Sequence, residues 1–249
     1  MDLNLAIIVL AAGQGKRLGG ESQKVVRKLL GKPILLYLFD TIEKLTPQKI
    51  IVIVGYKKED VFEQLKNKKV EYAEQTVLKG TGDAVLQAKE KLANYKGDIL
   101  ILCGDVPFVT INTLNQLITI HRNGQNDGTI LTAFVNNPTG YGRIKRDGKG
   151  RVLSIIEELN ATQEEKSIKE INAGIYVFKK EPLFDALSKV QPDPIKNEYY
   201  LTDVIKLLSA NGKTIGTYTT ETPDECLGIN TQEDIEKAKQ FLSITGGNR

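Results

Sequence analysis

Four glycines, Gly13, Gly15, Gly19 and Gly20, fall in the stretch LAAGQGKRLGG, with Lys16 and Arg17 among them and Lys24 shortly after. Glycine reaches backbone conformations closed to other residues and leaves no side chain in the way, so such a loop lets N–H groups approach phosphate oxygens. Three nearby cations suit the same ligand. The competing reading is a glycine-rich turn carrying solvated Lys and Arg. Two familiar phosphate loops do not fit: Leu18 stands where the third glycine of GxGxxG belongs, and Arg17 stands where a P-loop needs Ser or Thr.

A second chemical group is Asp105 in CGDVP. It follows an apolar run, with Gly104 permitting a tight exit and Pro107 stopping the strand. A carboxylate just past the carboxyl end of a buried strand is placed to hold a hard cation through oxygen; a turn cap is the alternative. Asn230 in LGIN is a candidate second oxygen donor, although by spacing alone it, or Thr231, reads as the N-cap of the last helix. Gln75, Gly80, Thr81, Gly140, Glu157 and Asn172 lie in short turn-like contexts. Amides and carboxylates read sugar hydroxyls and acetamido groups, yet each residue alone reads sooner as ordinary surface or turn polarity than as a sugar ligand. His121, the only histidine, reads as exposed and without a role.

The elements that must position these residues alternate. Ala6 to Leu10 is a short, continuous, β-branched run, hence a strand buried on both faces. After the glycine stretch, Pro33 precedes Ile34, Leu38, Ile42 and Leu45 at helical spacing. Strands are expected at Ile50 to Val54, Val70 to Ala73 and Ile99 to Leu102, with helices at Lys57 to Lys66 and about Gly82 to Leu92. This rhythm implies a parallel sheet with helices on both faces. From about Gly128 the pattern becomes strand after strand: Thr129 to Val135, Arg143 to Arg146, Arg151 to Ile156 and Ile171 to Phe178, read as antiparallel additions. Helices are expected at about Tyr199 to Ser209 and at Gln232 to Leu242.

Bulk properties narrow the options. The 249 residues are 41% hydrophobic and 26% charged, enough for one large α/β unit with a packed core. The 34 basic and 31 acidic residues are spread along the chain, which does not call for a nucleic-acid partner. Cys103 and Cys226 have no companions at ligand spacing and read as reduced structural thiols. The first apolar run is too short for a signal peptide, and no run approaches the ~20 residues of a membrane span, so a cytoplasmic protein is expected.

Together the motifs LAAGQGKRL, QKVVRKLLGKP, AEQTVLKGTGDAVLQA, GDVPF, NPTGYGRI, IEELNAT, EINAG, NEYYLTD and GIN resemble, in order, the uridylyltransferase domain of the bacterial N-acetylglucosamine-1-phosphate uridylyltransferases, within the sugar nucleotidyltransferase superfamily. The resemblance runs from Leu5 to about Ala238. It implies the Rossmann-like nucleotide-diphospho-sugar transferase fold: a mixed, mostly parallel sheet with helices on both faces. One domain over 1–243 is expected, with a nucleotide half at about 1–110, a sugar half at about 111–230 and a tail at 244–249. The implied reaction joins UTP to N-acetylglucosamine 1-phosphate with Mg2+ as cofactor. Leu10, Ala11, Ala12, Gly13, Gln75, Gly80 and Thr81 would surround the uridine. Arg17 would bind the departing pyrophosphate, Lys24 would neutralise the reacting phosphates, and Asp105 and Asn230 would hold the metal. Gly140, Glu157 and Asn172 would position the sugar, joined by Tyr199 and Thr202. Another sugar 1-phosphate, dTTP, or a non-catalytic regulatory subunit are the alternatives, and a monomer or small homo-oligomer is expected.

Two departures stand out. The family usually has Thr where Lys16 stands and Pro where Gln23 stands, directly before the implied reactive lysine. Both bear on nucleotide preference and efficiency, and neither removes an implied catalytic group. The bifunctional relatives also continue into a β-helix acetyltransferase marked by hexapeptide repeats. None follows Leu242, so acetyl transfer is not expected of the chain as given.

Overall fold

The computed structural model describes residues 4–15 and 23–244. The chain begins with β1 (Leu5–Ala11), then the small hairpin β2 (Lys28–Leu29) and β3 (Lys32–Pro33), and α1 (Ile34–Ile42). Next come β4 (Lys49–Val54), α2 (Lys58–Leu65), β5 (Glu71–Glu74), α3 (Thr81–Leu86), β6 (Asp98–Cys103) and α4 (Ile111–Asn123). The second half adds β7 (Gly128–Phe134), β8 (Arg143–Arg146), β9 (Val152–Ile156), α5 (Gln163–Lys166), β10 (Glu170–Lys179), α6 (Lys180–Leu187), α7 (Thr202–Ala210), β11 (Ile215–Thr219) and α8 (Gln232–Ile244).

Among the described residues, nine strands form one sheet in the order β11-β7-β10-β6-β1-β4-β5, with β8 and β9 extending from β10. Strand β1 is buried on both faces because helices cover both. Leu5, Ile7, Val9 and Ala11 point into a core shared with α1, α2 and α4. Ala6 and Ile8, one residue out of phase, join α3, α6 and α7 on the opposite side. A smaller cluster packs Ile235, Ala238 and Leu242 of α8 on Leu29, Ile34 and Phe108.

Strand direction decides where the site lies. β6, β1, β4 and β5 are mutually parallel, and their register aligns Leu10 with Cys103, Ala11 with Val54 and Val54 with Glu74. Their carboxyl ends therefore form one edge, where open α/β sheets bind ligands. β10 runs antiparallel between β6 and β7, so its first residues, Glu170 to Asn172, come to that same edge.

Several expectations need correction. The helix foreseen to Leu92 stops at Leu86 and tightens into i→i−3 turns: Ala88 N–H bonds to Val85 C=O and Lys89 N–H to Leu86 C=O. This keeps both Ala88 and Leu92 buried. The helix placed from Tyr199 starts at Thr202, because Tyr199 gives its N–H to Lys79 and its C=O to Gly82 instead. Helix α6 and edge strand β11 were not foreseen.

His121 is buried rather than exposed. Its Nδ1 lies 2.9 Å from Thr129 Oγ1 and its Nε2 3.6 Å from Asp98 Oδ1, so it ties α4 to β7 and β6. Ile244 closes α8, and the rest of the expected tail, like the first three residues, lies outside the described residues.

Candidate functional site

The aligned carboxyl ends open onto a cavity of about 600 Å³. Its walls include every described residue expected around a nucleotide, namely Leu10, Ala11, Ala12, Gly13, Gln75, Gly80 and Thr81, together with Lys24 and Asp105. One wall depends on a missing side chain. Gly104 N–H donates to Leu10 C=O at 2.9 Å, and a Cβ on Gly104 would sit 2.9 Å from that oxygen, so only glycine lets β6 turn so close to β1.

At one end stands Gln75, nearly fully buried after β5. Its Nε2 donates to Gly80 C=O at 3.0 Å and to Asp83 Oδ2 at 2.7 Å. Both amide hydrogens are thus spent within the protein, leaving Oε1 as an acceptor toward a ligand. Gly80 takes φ +100°, and the next two residues grip the loop that precedes α7: Gly82 N–H donates to Tyr199 C=O at 2.7 Å, and Thr81 Oγ1 accepts from Leu201 N–H at 3.0 Å. Residues 79–82 and 198–201 are locked backbone to backbone.

At the other end three side chains converge. Lys24 Nζ donates to Asp105 Oδ2, in an ion pair, and to Asn230 Oδ1 at 2.9 Å. Asp105 and Asn230 are brought together by the main chain, since Ile229 N–H donates to Asp105 C=O at 2.9 Å. The helix-cap alternative for Asn230 is taken by its neighbour. Thr231 Oγ1 accepts from Asp234 N–H, while Asp234 Oδ2 accepts from the N–H groups of Asn230 and Thr231. The side chain of Asn230 therefore turns to Lys24. Two hard oxygens already face one cation, the lysine ammonium, and that donor set suits a divalent ion such as magnesium, which needs few protein ligands. No cluster of three or more His, Cys, Asp or Glu that could hold a metal ion occurs among the described residues.

None of the residues expected to hold a sugar is on the wall of this cavity. Thr202 Oγ1 donates to Glu157 Oε1 at 2.8 Å. Burial pushes the Glu157 carboxyl up, against the Thr202 bond, and Asp203 and Asp193 add to the rise. Asn172 Nδ2 donates to Tyr176 Oη at 2.7 Å, and Gly174 N–H donates to Asn172 Oδ1 at 3.1 Å, across an irregularity in the pairing of β10. Gly174 C=O in turn faces Cys103 Sγ, and the charge of Glu157 is felt at both Cys103 and Tyr176. Gly140, with φ +86°, gives its N–H to Glu158 Oε2, which also accepts from the buried Arg143 at 2.6 Å. Tyr199 faces a separate hollow with Lys79, Asp83 and Leu187.

Sequence reasoning missed Cys103, Leu78, Lys196 and Glu198 on the main wall. Burial, with Asp105 adding, pushes the Cys103 thiol up to about 12, so it is no nucleophile at neutral pH. Cys103 was legible as the last residue before the glycine exit, whereas Lys196 and Glu198 come from a loop with no motif of its own. Their placement rests on Asp193, whose Oδ1 accepts from Ile195 and Lys196 N–H at 3.0 and 2.8 Å. Arg17 and Lys16 lie outside the described residues.

The comparisons agree with this geometry. The nucleotidyl transferase family model matches residues 6–223. The bifunctional protein GlmU of Caldicellulosiruptor saccharolyticus is 42% identical over 245 residues, covering 98% of this chain and 53% of that protein. GlmU of Bacillus subtilis is 41% identical over 242 residues, covering 97% of this chain and 53% of its own length. The chain thus spans about half the length of the curated relatives it matches. A UDP-glucose pyrophosphorylase, solved in complex with UDP-glucose, superposes with a TM-score of 0.75 at 17% identity, over 96% of this chain and 98% of that one, and shares its fold. With the strand-edge cavity, the glycine exits and the Lys24–Asp105 pair in place, the chain belongs to the nucleotidyl transferase family.

Proposed function

We propose that this chain transfers a uridylyl group from UTP to N-acetylglucosamine 1-phosphate, releasing pyrophosphate. The observation that carries the reading is the polarity of the cavity: a fixed amide acceptor at one end, and a lysine flanked by two oxygen donors at the other. An acceptor at Gln75 Oε1 pairs with the imide N–H of uracil and faces lone pair against lone pair with cytosine. Thymine also carries that N–H, so dTTP belongs in the substrate panel.

The nucleophile, a sugar phosphate oxygen, is already anionic at neutral pH, and no general base is required. Bringing two polyanions together is the difficulty, and preorganised positive charge answers it. Lys24 would neutralise the reacting phosphates and Arg17 the departing pyrophosphate. Asp105 and Asn230 would hold Mg2+, which when bound supplies charge neutralisation on phosphate oxygens. Glu157 and Asn172, with Gly140, Tyr199 and Thr202 around them, would orient the N-acetyl sugar beside the nucleotide. No helix among the described residues is long and apolar enough to cross a membrane, and substrates of this kind fit a cytoplasmic enzyme, monomeric or a small homo-oligomer.

The test is pyrophosphate release with UTP, dTTP, CTP and ATP against N-acetylglucosamine, glucose and galactosamine 1-phosphates. The highest kcat/KM is expected for UTP with N-acetylglucosamine 1-phosphate, abolished by EDTA and restored by excess Mg2+. Release with another pair at higher kcat/KM, or none with any pair, refutes the assignment.

A further inference from the structure

Gln23 is wholly buried, which is unusual for an amide and costs free energy unless both of its ends are bonded. Both are. Its Nε2 donates to the carbonyl of Ala11 at the end of β1, and its Oε1 accepts from Val25 N–H at 2.7 Å. Its own carbonyl accepts from Val26 N–H at 3.2 Å, closing the single 3-10 turn Lys24–Val26 that carries the lysine. Its main-chain N–H lies 3.4 Å from Asp60 Oδ2. One side chain therefore ties the turn bearing Lys24 to the strand end whose next residues, Ala12 and Gly13, line the nucleotide cavity.

The fit on the other side of that turn is equally close. A Cβ on Gly15 would lie 2.7 Å from Lys24 Cβ, so the glycine loop rests directly on the lysine stem. Lys24 is held between that loop and the Asp105–Asn230 pair, with the Gln23 amide setting the distance from β1. We infer that Gln23 is a positioning residue: it fixes Lys24 in register with the nucleotide loop, doing by two hydrogen bonds what a rigid backbone would do by itself. The inference rests on the function proposed above. Gln23 has φ −62°, the value that a proline ring enforces, and ψ 132°, which proline tolerates. Proline at this position would drop both amide bonds and the weak contact to Asp60 but hold the backbone.

The consequence is a split between kinetic constants. The base end of the cavity, at Gln75, Gly80 and Thr81, does not depend on Gln23, whereas Lys24 acts on the reacting phosphates. Loosening the tie therefore lowers kcat and leaves KM for the nucleotide nearly unchanged. Steady-state kinetics of Gln23→Leu, Gln23→Pro and Lys24→Ala, per folded protein by circular dichroism, test this. Gln23→Leu is expected to lose about 10- to 100-fold in kcat, the scale of a small misplacement of a catalytic group, with KM within about twofold. Gln23→Pro is expected to recover most of the loss. A leucine variant with wild-type kcat, a loss confined to KM, or a proline variant as slow as the leucine variant overturns the inference. Should Gln23→Leu not fold, Gln23→Met, also without the amide, takes its place: a loss of about tenfold or more in kcat that Gln23→Pro recovers supports the tie, and a wild-type kcat overturns it. Lys24→Ala separates the two levels. Wild-type kcat in Lys24→Ala sinks the reading of the site itself, whereas a slow Lys24→Ala beside a fast Gln23→Leu sinks only the role of Gln23.

Discussion

Replacing Gly80 with alanine probes the seam on which the cavity wall depends. Gly80 sits at φ +100°, where an L residue carries strain of about 1–3 kcal/mol. The added Cβ would also lie 2.6 Å from Tyr199 O and 2.8 Å from Tyr199 N, both main-chain atoms that cannot swing aside. Relief requires residues 79–82 and 198–201 to part, weakening Tyr199 N–H to Lys79 C=O and Gly82 N–H to Tyr199 C=O, each 2.7 Å long. A net value of about 1 kcal/mol per hydrogen bond brings the expected destabilisation to about 3–5 kcal/mol. That is a large share of the ~5–15 kcal/mol available to a folded domain. Gly140→Ala is the control, because φ is +86° there but no atom lies within 4 Å of the added Cβ, so only backbone strain applies. Urea unfolding gives both values, and calorimetric titration with UTP reports the loss of Gln75 anchoring to Gly80 C=O. Equal destabilisation by the two substitutions, or unchanged UTP affinity in Gly80→Ala, would refute the reasoning.

Lys24→Ala and Asp105→Ala should each lower turnover by about 10² to 10³ while leaving far-ultraviolet dichroism unchanged, because each removes a preorganised charge; near wild-type rates in both would contradict the site. Glu157 has its folded pKa raised, chiefly by burial, so the folded state holds its proton longer than the unfolded chain does. Its ionisation therefore costs stability progressively as pH rises from the ordinary carboxylate range through the raised value, and the full cost persists above it. Gln keeps an oxygen for Thr202 Oγ1 without that charge, so Glu157→Gln should be more stable than wild type at pH 7 and lose the advantage toward pH 4, as read by urea midpoints. A pH-independent difference would falsify the assignment. His121→Ala strips Thr129 and Asp98 of a buried partner and should cost about 2–3 kcal/mol with kcat unchanged, since the residue lies away from the cavity.

The wound half of the sheet was readable because its strands are short apolar runs and its exits carry Gly13, Gly104 and Pro107, each with a local reason to end a strand. Polar residues were readable only as candidates. Asn230 illustrates why: spacing alone makes it a cap, and only the fold shows Thr231 and Asp234 taking that work while Asn230 meets Lys24, 206 residues away in sequence. His121 was misjudged because a polar ring on an amphipathic helix reads as solvent-facing until its partners, Thr129 and Asp98, arrive from two other strands. Strand β11 was missed because its residues are all partly exposed at a sheet edge, where alternation fades. The late start of α7 has a long-range cause, since Tyr199 spends its N–H and C=O on Lys79 and Gly82, whereas α3 ends early because its chain tightens into local i→i−3 turns, and neither is legible from periodicity.

The placement of β10 between β6 and β7 has a consequence for biosynthesis. On the ribosome β6 emerges with β1, β4 and β5 already able to pair, but its other flank must wait for the chain to reach Tyr176, which aligns with Ile101. At ~5–20 residues per second, that gap of roughly 75 residues leaves an Ile- and Leu-rich strand flank open for about 4–15 s. Such a flank invites pairing with other nascent chains. Chaperone demand during synthesis should therefore fall once residue 179 has cleared the exit tunnel.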